Sequence, residues 1–193
     1  VISTVSLAQL PGVVGVAVSV VVCVFLGVTI EFLAYRPLRK APSLAVLITA
    51  IGVSYLLQSL ALLVFKSEPK AFPTIIEIPS LTFGGVVVDG MTLLTLAVTA
   101  VIMISLSLFI NKTKLGKAMR AVSEDKDAAE LMGISVNRTI TMTFAIGSAL
   151  AAVASVFYGA TYTYIKPTTG SMPGIKAFTA AVFGGIGSIP RAM

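Results

Sequence analysis

Long apolar runs separated by short polar intervals dominate this chain. Four of them cover approximately Pro11–Leu33, Ser43–Phe65, Met91–Ile110 and Thr139–Ile165, and a fifth, Gly174–Pro190, is cut short. A helix needs about 20 apolar residues to cross the hydrocarbon core of a bilayer. The pattern therefore predicts an all-α, polytopic membrane protein with four complete spans and a truncated fifth.

Two of the predicted spans carry small residues at every fourth position, which places these residues on one helix face. Such faces let helices approach closely in lipid, where packing replaces the hydrophobic effect as the driving force. In the first span they are Gly15, Ser19, Cys23 and Gly27. In the fourth span, where we expect the tightest helix contact, they are Gly147, Ala151, Ser155 and Gly159.

Polar groups within the predicted spans are candidates for a structural or functional role. Polar groups in lipid are costly unless they face protein or a water-filled path. The second span has a polar face that either makes hydrogen bonds to other helices or lines a substrate pathway: Thr49, Gly52, Tyr55 and Ser59 follow helical spacing, with Ser54 and Gln58 beside them. The candidates for the pathway are Thr49, Tyr55, Gln58 and Ser59. Glu31 ends the first span, where it either pairs with a nearby arginine at the interface or serves transport as an ionisable group.

The longest polar interval is Thr113–Arg138, here called the polar loop. Ten of the chain's 14 basic and 8 acidic residues lie in this loop or directly beside it. Ser123 is a favourable N-cap, acidic residues follow it in the next turn, and Gly133 is placed to end a helix. These signals predict one short helix at Glu124–Met132.

One face of that predicted helix has small residues in its middle and methionine at its edge. It consists of Asp125, Ala128, Ala129 and Met132. This shape suits insertion into a groove on another protein. The helix could equally lie against the chain's own loops or the lipid surface, and the pattern alone leaves both open.

The predicted loop Lys66–Gly90 contains three prolines and the pair Gly84-Gly85. Proline and glycine interrupt regular structure and mark loops. The β-branched pieces Thr74–Ile78 and Val86–Val88 predict a short external hairpin within this loop.

The composition supports the membrane class. Only 11% of the 193 residues are charged, against about 25% in soluble domains. The net charge of +6 comes from lysines and arginines in the loops between apolar runs, where positive charge sets the orientation of a protein in the membrane. These residues do not form the basic stripe that is typical of a nucleic-acid-binding protein. The absence of histidine, with Cys23 the single cysteine, excludes the usual zinc and haem ligand sets and any Ser–His catalytic pair.

The distribution of lysine and arginine predicts the orientation, because basic loops stay in the cytoplasm. The loop after the first span holds Arg36, Arg39 and Lys40. The loop after the third holds Lys112, Lys114, Lys117, Arg120, Lys126 and Arg138. The alternate loops hold Lys66, Lys70 and Lys166. We therefore expect residue 1 outside and the polar loop inside the cell.

The polar loop also resembles a known family. Asp127-Ala128-Ala129, followed by three residues and Gly133, resembles the EAA loop of ATP-binding cassette (ABC) importer permeases, with aspartate in place of glutamate. The wider string TKLGKAMRAVSEDKDAAELMGI closely resembles the permeases for branched-chain amino acids, of the LivH type. The resemblance covers about residues 27–190, and three other segments agree in order: Glu31–Arg39, Leu47–Ser54 and Lys176–Ser188.

Two features depart from the family pattern. The generic EAA loop continues to an Ile-x-Leu-Pro ending that is absent here, as is common in branched-chain permeases. Arg191 stands where glycine is expected, shortly before the chain stops at Met193. We expect residues 1–193 to form a single transmembrane permease domain that is a fragment of a longer chain and lacks both ends.

The resemblance implies a transport subunit and not an enzyme. It would belong to an ATP-driven importer of the bacterial inner membrane that moves leucine, isoleucine or valine inward by alternating access. ATP and magnesium are expected on a separate ATPase subunit, since no Gly-x-x-x-x-Gly-Lys-Ser/Thr phosphate loop occurs here. The alternatives are a permease for urea or short amides, or an ion-coupled secondary transporter.

The resemblance also implies specific contacts. The EAA-like coupling loop, residues 113–138, is expected to dock on the cytoplasmic ATPase subunits. The residues assigned to this contact are Arg120, Glu124, Asp125, Asp127, Ala128, Ala129, Met132 and Gly133. Further expected partners are a second, LivM-like permease subunit, a periplasmic substrate-binding protein and membrane lipid.

Overall fold

The computed structural model describes residues 12–71, 81–83, 86–88, 90–162 and 164–183. In chain order the helices are α1 Gly12–Ile30, α2 Ser43–Phe65, α3 Gly90–Lys112, α4 Lys114–Glu124, α5 Lys126–Leu131, α6 Val136–Thr161 and α7 Ser171–Phe183. The strands are β1 Lys70–Ala71, β2 Leu81–Phe83, β3 Val86–Val88 and β4 Tyr164–Ile165. The described residues are thus mostly helical, which confirms the predicted all-α class.

Four helices in the described part of the chain are long and apolar enough to cross a membrane. These candidate spans are Val14–Tyr35, Ala45–Phe65, Gly90–Lys112 and Val136–Thr161. Large apolar side chains along them are exposed, such as Phe25 at 71% and Leu63 at 80%. Exposed apolar side chains over the whole length of a helix suit contact with lipid. The predicted polytopic arrangement with four spans is therefore confirmed.

The chain divides into two compact units. The first contains Val1–Pro73 and Ile140–Thr168, and the second contains Thr74–Thr139 and Thr169–Met193. The first unit therefore holds α1, α2 and most of α6, and the second holds α3, α4, α5 and α7. The polar loop belongs entirely to the second unit.

In the first unit, α1 continues through a π-helical turn at Glu31–Tyr35, closed by a hydrogen bond from the N–H of Arg36 to the carbonyl of Glu31 (2.9 Å). A 3-10 turn at Pro37–Lys40 follows. Proline is tolerated at the first position of such a turn because its missing N–H has no partner there in any case. Helix α2 then begins at the residue predicted for it.

Helix α1 packs closely against α6. A Cβ atom added to Gly27 would lie 2.7 Å from the Cβ of Ser148 and would overlap its Oγ. Nearby, the rings of Tyr35 and Phe144 have centroids 5.0 Å apart. The small residue in α1 therefore allows the two helices to approach almost to backbone contact, as small residues do between membrane helices.

Helix α6 differs from the predicted span Thr139–Ile165, which was wrong at both ends. The helix begins earlier, at Val136, and stops at Thr161. Tyr164–Ile165 instead form β4, which pairs antiparallel with β1 through Lys70↔Ile165 and Ala71↔Tyr164. Aromatic and β-branched residues suit a strand as well as an apolar helix end, so the apolar pattern could not separate the two.

In the second unit, Val86–Val88, one of the two predicted hairpin pieces, pairs antiparallel with Leu81–Phe83. The other predicted piece, Thr74–Ile78, lies outside the described residues. Only Gly84-Gly85 separates the two paired strands in sequence, and Gly-Gly is typical of two-residue hairpin connections. Of the predicted fifth segment the structure describes the part within α7, and residues 184–190 lie outside the described residues.

Candidate functional site

The polar loop contains two helices where the sequence predicted one at Glu124–Met132. Helices α4 and α5 are joined by Asp125 alone, whose backbone is extended with φ −148° and ψ 116°. The Oδ1 of Asp125 accepts hydrogen bonds from the N–H groups of Asp127 (2.9 Å) and Ala128 (3.1 Å). Asp125 is therefore the N-cap of α5, because it satisfies N–H groups that the first turn leaves unpaired.

The prediction that Ser123 caps this helix was wrong. Its hydroxyl donates to the carbonyl of Arg120 (2.7 Å), which places Ser123 inside the last turn of α4. Serine and aspartate are similarly good N-caps. Asp125 caps α5 because its backbone is extended, the conformation of an N-cap residue.

The end of α5 lies where Gly133 predicted it. Gly133 has a φ of 79°, a left-handed conformation that side chains with a Cβ rarely adopt. Its N–H donates to the carbonyl of Glu130 (2.9 Å), and the N–H of Ile134 donates to the carbonyl of Ala129 (3.0 Å). This pair of bonds is a Schellman motif, so α5 is capped at both ends.

The predicted docking face of α5 is divided by the fold. Ala129 is only 4% exposed and points inward, whereas Asp125 and Ala128 point outward. Leu131 and Met132 are 89% and 83% exposed. The sequence reasoning missed Leu131, although a leucine at the end of a charged helix is a signal for an exposed apolar contact. The outward surface of α5 is therefore an apolar pair beside acidic residues.

The assigned charged residues of the polar loop are exposed. Those that the sequence placed at the contact are Arg120, Glu124, Asp125 and Asp127. On α4, Lys114, Lys117 and Arg120 follow one another at helical spacing on the exposed side, opposite the buried Val122. The loop thus presents a basic stretch on α4 followed by acids around α5.

A single residue, Thr113, joins the membrane span α3 to α4. Its hydroxyl donates to the carbonyl of Phe109 (2.7 Å) in α3 and accepts from the N–H of Gly116 (3.0 Å) in α4. A Cβ on Gly116 would lie 2.7 Å from the carbonyl carbon of Ile110 and closer still to its Cα and oxygen. The backbones of the two helices therefore touch at this corner.

Glu31 is a buried carboxylate with two partners. It is 1% exposed, and its Oε1 forms an ion pair with Nη2 of Arg39. Its Oε2 accepts a hydrogen bond from the hydroxyl of Thr141 (2.9 Å), near the start of α6. The prediction that Glu31 pairs with a nearby arginine is confirmed. The three side chains join the end of α1, the following turn and α6 within the first unit.

The polar face of α2 does not form a closed site in the described part of the chain. The hydroxyl of Thr49 donates to its own helix at Ala45 (2.8 Å), and the amide of Gln58 donates to Ser54 (3.2 Å). Tyr55 and Ser59 are exposed. Both bonds lie within α2, so among the described residues these side chains do not make the alternative hydrogen bonds to other helices. Their role in a substrate pathway stays a prediction.

The small-residue face of α6 is turned away from α1. Its members Gly147, Ala151 and Ser155 are exposed, and Gly159 is buried. A Cβ on Gly147 would meet nothing within 4 Å, whereas the neighbouring Ser148 packs against Gly27. The close approach seen in the first unit therefore uses the adjacent face of α6, and a helix contact through the predicted face stays a prediction.

These elements define the chain as a polytopic α-helical membrane protein whose polar loop presents a short, doubly capped helix. The chain belongs to the family of permease components of branched-chain amino acid transport systems, whose profile matches residues 1–193.

Comparison with curated proteins gives the same family. The chain is 48% identical over 182 residues to the high-affinity branched-chain amino acid transport system permease protein BraD of Pseudomonas aeruginosa, covering 92% of this chain and 59% of BraD. It is 42% identical over 186 residues to the corresponding protein LivH of Escherichia coli, covering 91% and 58%. The chain thus spans less than two thirds of the length of these relatives. No solved structure matches it.

Proposed function

We propose that this chain is part of the permease subunit of an ATP-driven importer that moves leucine, isoleucine and valine into the cytoplasm. Family membership and the names of the relatives support the substrate class. The observation that carries the coupling role is α5 itself, a helix capped at both ends with Leu131 and Met132 exposed at its tip.

The polar loop lies in the cytoplasm in this proposal. Its support is the high share of lysine and arginine in the loop, compared with the loops on the opposite side. Lys112 is the last residue of the span α3, and the exposed Lys114 and Lys117 follow this span directly. Basic residues in this position remain on the cytoplasmic side of a bacterial inner membrane.

Helix α5 docks in a cleft of a separate ATPase subunit. ATP and Mg²⁺ bind that partner, and this chain hydrolyses nothing. Leu131 and Met132 supply the apolar contact, and the acids around Asp125 surround it, an arrangement typical of helices that bind in grooves. Movement of the ATPase subunits then displaces α5 and tilts the spans, which exposes the pathway to each side in turn.

The remaining partners follow from the same assembly. A second permease subunit, LivM-like, contacts this chain in the membrane, and the exposed small residues of α6 suit such a contact. A periplasmic binding protein delivers the amino acid and sets most of the specificity. Thr49, Tyr55, Gln58 and Ser59 line the pathway, supported by their place on one polar face of a membrane span.

Replacing both Leu131 and Met132 with glutamate should abolish ATP-dependent uptake of leucine. The two side chains are almost fully exposed, so the change leaves the fold intact while it removes the apolar contact and adds charge. Uptake is measured in proteoliposomes that contain the complete transporter, with co-purification of the ATPase subunits as a second readout.

The matched control exchanges the same residues for each other, Leu131→Met with Met132→Leu, which keeps the apolar surface and should keep uptake. Unchanged uptake and ATPase binding in the double glutamate variant would overturn the docking role. Inhibition of leucine uptake by isoleucine and valine would support branched-chain amino acids as the substrate class. Inhibition by urea and not by these amino acids would instead indicate a permease for urea.

Bulky substitutions test the scaffold of α5. Ala129→Phe places a ring where the side chain is 4% exposed, and Gly133→Val forces a β-branched residue to φ 79°. Both should abolish ATP-dependent uptake and leave membrane insertion unchanged, because the distortion is confined to the polar loop. Insertion is checked by protease protection of the loop in vesicles, and normal uptake by either variant would contradict the need for an intact α5.

A further inference from the structure

The corner between α3 and α4 is built differently from an ordinary loop. One residue, Thr113, connects a membrane span of 23 residues to a helix of 11 residues. We propose that the segment Thr113–Gly116, called the elbow below, is a rigid joint that passes the displacement of α5 to the membrane span α3. This inference rests on the proposed coupling function and assigns positioning residues to it.

The hydroxyl of Thr113 caps both helices at once. It donates to the carbonyl of Phe109 in the last turn of α3 (2.7 Å) and accepts from the N–H of Gly116 in the first turn of α4 (3.0 Å). The backbone N–H of Thr113 also donates to Phe109 (3.0 Å), and its carbonyl accepts from Lys117 (3.1 Å). Rotation at this residue would break bonds on both sides, so the joint resists bending.

Gly116 makes the joint close-packed. It is buried, and the position of a Cβ there is already occupied by the backbone of Ile110. Backbone atoms cannot move aside as the end of a flexible side chain does. Any side chain at this position must therefore push α4 away from the end of α3 and change the angle between the two helices.

Asp125 also joins two helices, α4 and α5, as a single capping residue, but without a close backbone contact like that between Gly116 and Ile110. The N–H of Asp125 donates to the carbonyl of Ala121 (3.1 Å) at the end of α4, and its side chain caps α5. Val122, three residues before Asp125 in α4, is buried. Helices α3, α4 and α5 are thus joined by single capped residues, and no flexible stretch can absorb a displacement of α5.

A side chain at Gly116 would remove the close backbone contact that makes the elbow rigid, so α5 could then move without moving the span α3. ATP hydrolysis would then continue while fewer amino acids are carried for each ATP. In complete transporters in proteoliposomes, Gly116→Ala should lower the ratio of leucine uptake to ATP hydrolysis at least about tenfold, a typical size for coupling between two sites. The ATPase subunits should remain bound, because α5 itself is unchanged.

Thr113 gives an independent variant with smaller risk to folding. Thr113→Val keeps the shape but loses the hydroxyl, and it should lower the same ratio, whereas Thr113→Ser keeps the hydroxyl and should restore it. The control is Gly174→Ala in α7, where a Cβ meets nothing within 4 Å. It should leave the ratio unchanged.

A distance measurement tests rigidity directly. Spin labels at the exposed positions Leu108 in α3 and Lys117 in α4 should give one narrow distance that ATP does not change. The same labels in the Gly116→Ala variant should give a shifted or broadened distance. A distance in the unsubstituted elbow that changes with ATP would overturn the inference, because the joint would then bend.

Other outcomes separate this inference from the proposed function. An unchanged uptake ratio in both Gly116→Ala and Thr113→Val overturns the elbow, as does loss of ATPase binding in either, which would make the corner part of the dock. Failure of the unsubstituted transporter to bind an ATPase or to take up leucine with ATP would instead overturn the proposed function.

Discussion

Replacing Glu31 with leucine should lower the free energy of unfolding by about 3–5 kcal/mol, the usual cost of removing one partner of a buried ion pair. Glu31 is 1% exposed, and the side chain of Arg39 is 17% exposed. Without the carboxylate, the guanidinium keeps its charge in a site that water hardly reaches. The change is measured by denaturant titration of the protein in detergent micelles.

The environment of Arg39 explains why the loss should be so large. Its Nε and Nη1 atoms are buried without a hydrogen-bond partner among the described residues, so Glu31 supplies the acceptor that Nη2 uses. The hydroxyl of Thr141 would also lose its hydrogen bond to Oε2. The loss of this bond adds to the penalty.

The decisive control removes both charges. Glu31→Leu combined with Arg39→Met should recover most of the lost stability, because replacing a whole buried pair by apolar residues of similar size is often neutral. Additive losses in the double variant would contradict the view that the single change fails through an uncompensated charge. Glu31→Gln, whose single amide oxygen can still accept one of the two bonds, should lose less than Glu31→Leu.

The same pair bears on mechanism. Glu31 was the ambiguous acid for an ion-coupled transporter, in which ionisable groups inside the membrane mark the path of the ion or proton. In the structure both of its oxygens are engaged, by Arg39 and by Thr141. This geometry gives Glu31 a structural role at the end of α1. Leucine uptake that persists in Glu31→Gln would agree with that role.

Much of the fold could be predicted because lipid imposes strong rules. A span must be long and apolar, so α2 was predicted with the bounds that the structure has, and α1 and α3 nearly so. Gly133 also ended its helix as predicted, since few residues tolerate a positive φ. Such features depend on local chemistry that the sequence states directly.

The errors came from competition between neighbouring residues of similar propensity. Ser123 and Asp125 are both good N-caps, and only the folded loop shows which one has an extended backbone. Helical spacing grouped Ala129 with outward residues, but burial depends on what α5 packs against. The elbow at Gly116 was not predicted, because a backbone contact with Ile110 leaves no periodic signal.

The contact between α1 and α6 gives the second large effect, since Gly27→Ala should destabilise the first unit by about 1–3 kcal/mol, the range for overpacking. Alanine favours a helix over glycine by about 1 kcal/mol, so propensity alone would predict the opposite sign. The clash decides because the new Cβ would lie 2.7 Å from the Cβ of Ser148. Gly27→Leu should cost more.

A double variant, Gly27→Ala with Ser148→Gly, tests whether the clash with Ser148 causes this loss of stability. Ser148→Gly removes both atoms that the new Cβ would meet, and the next neighbour is the carbonyl oxygen of Phe144 at 3.7 Å, an ordinary contact. Gly27→Ala with Ser148→Gly should therefore unfold at nearly the denaturant concentration of the unsubstituted protein. Gly52→Ala, in open space on α2, should show no loss. Equal losses of stability in Gly27→Ala and in the double variant would show that the clash with Ser148 is not the cause.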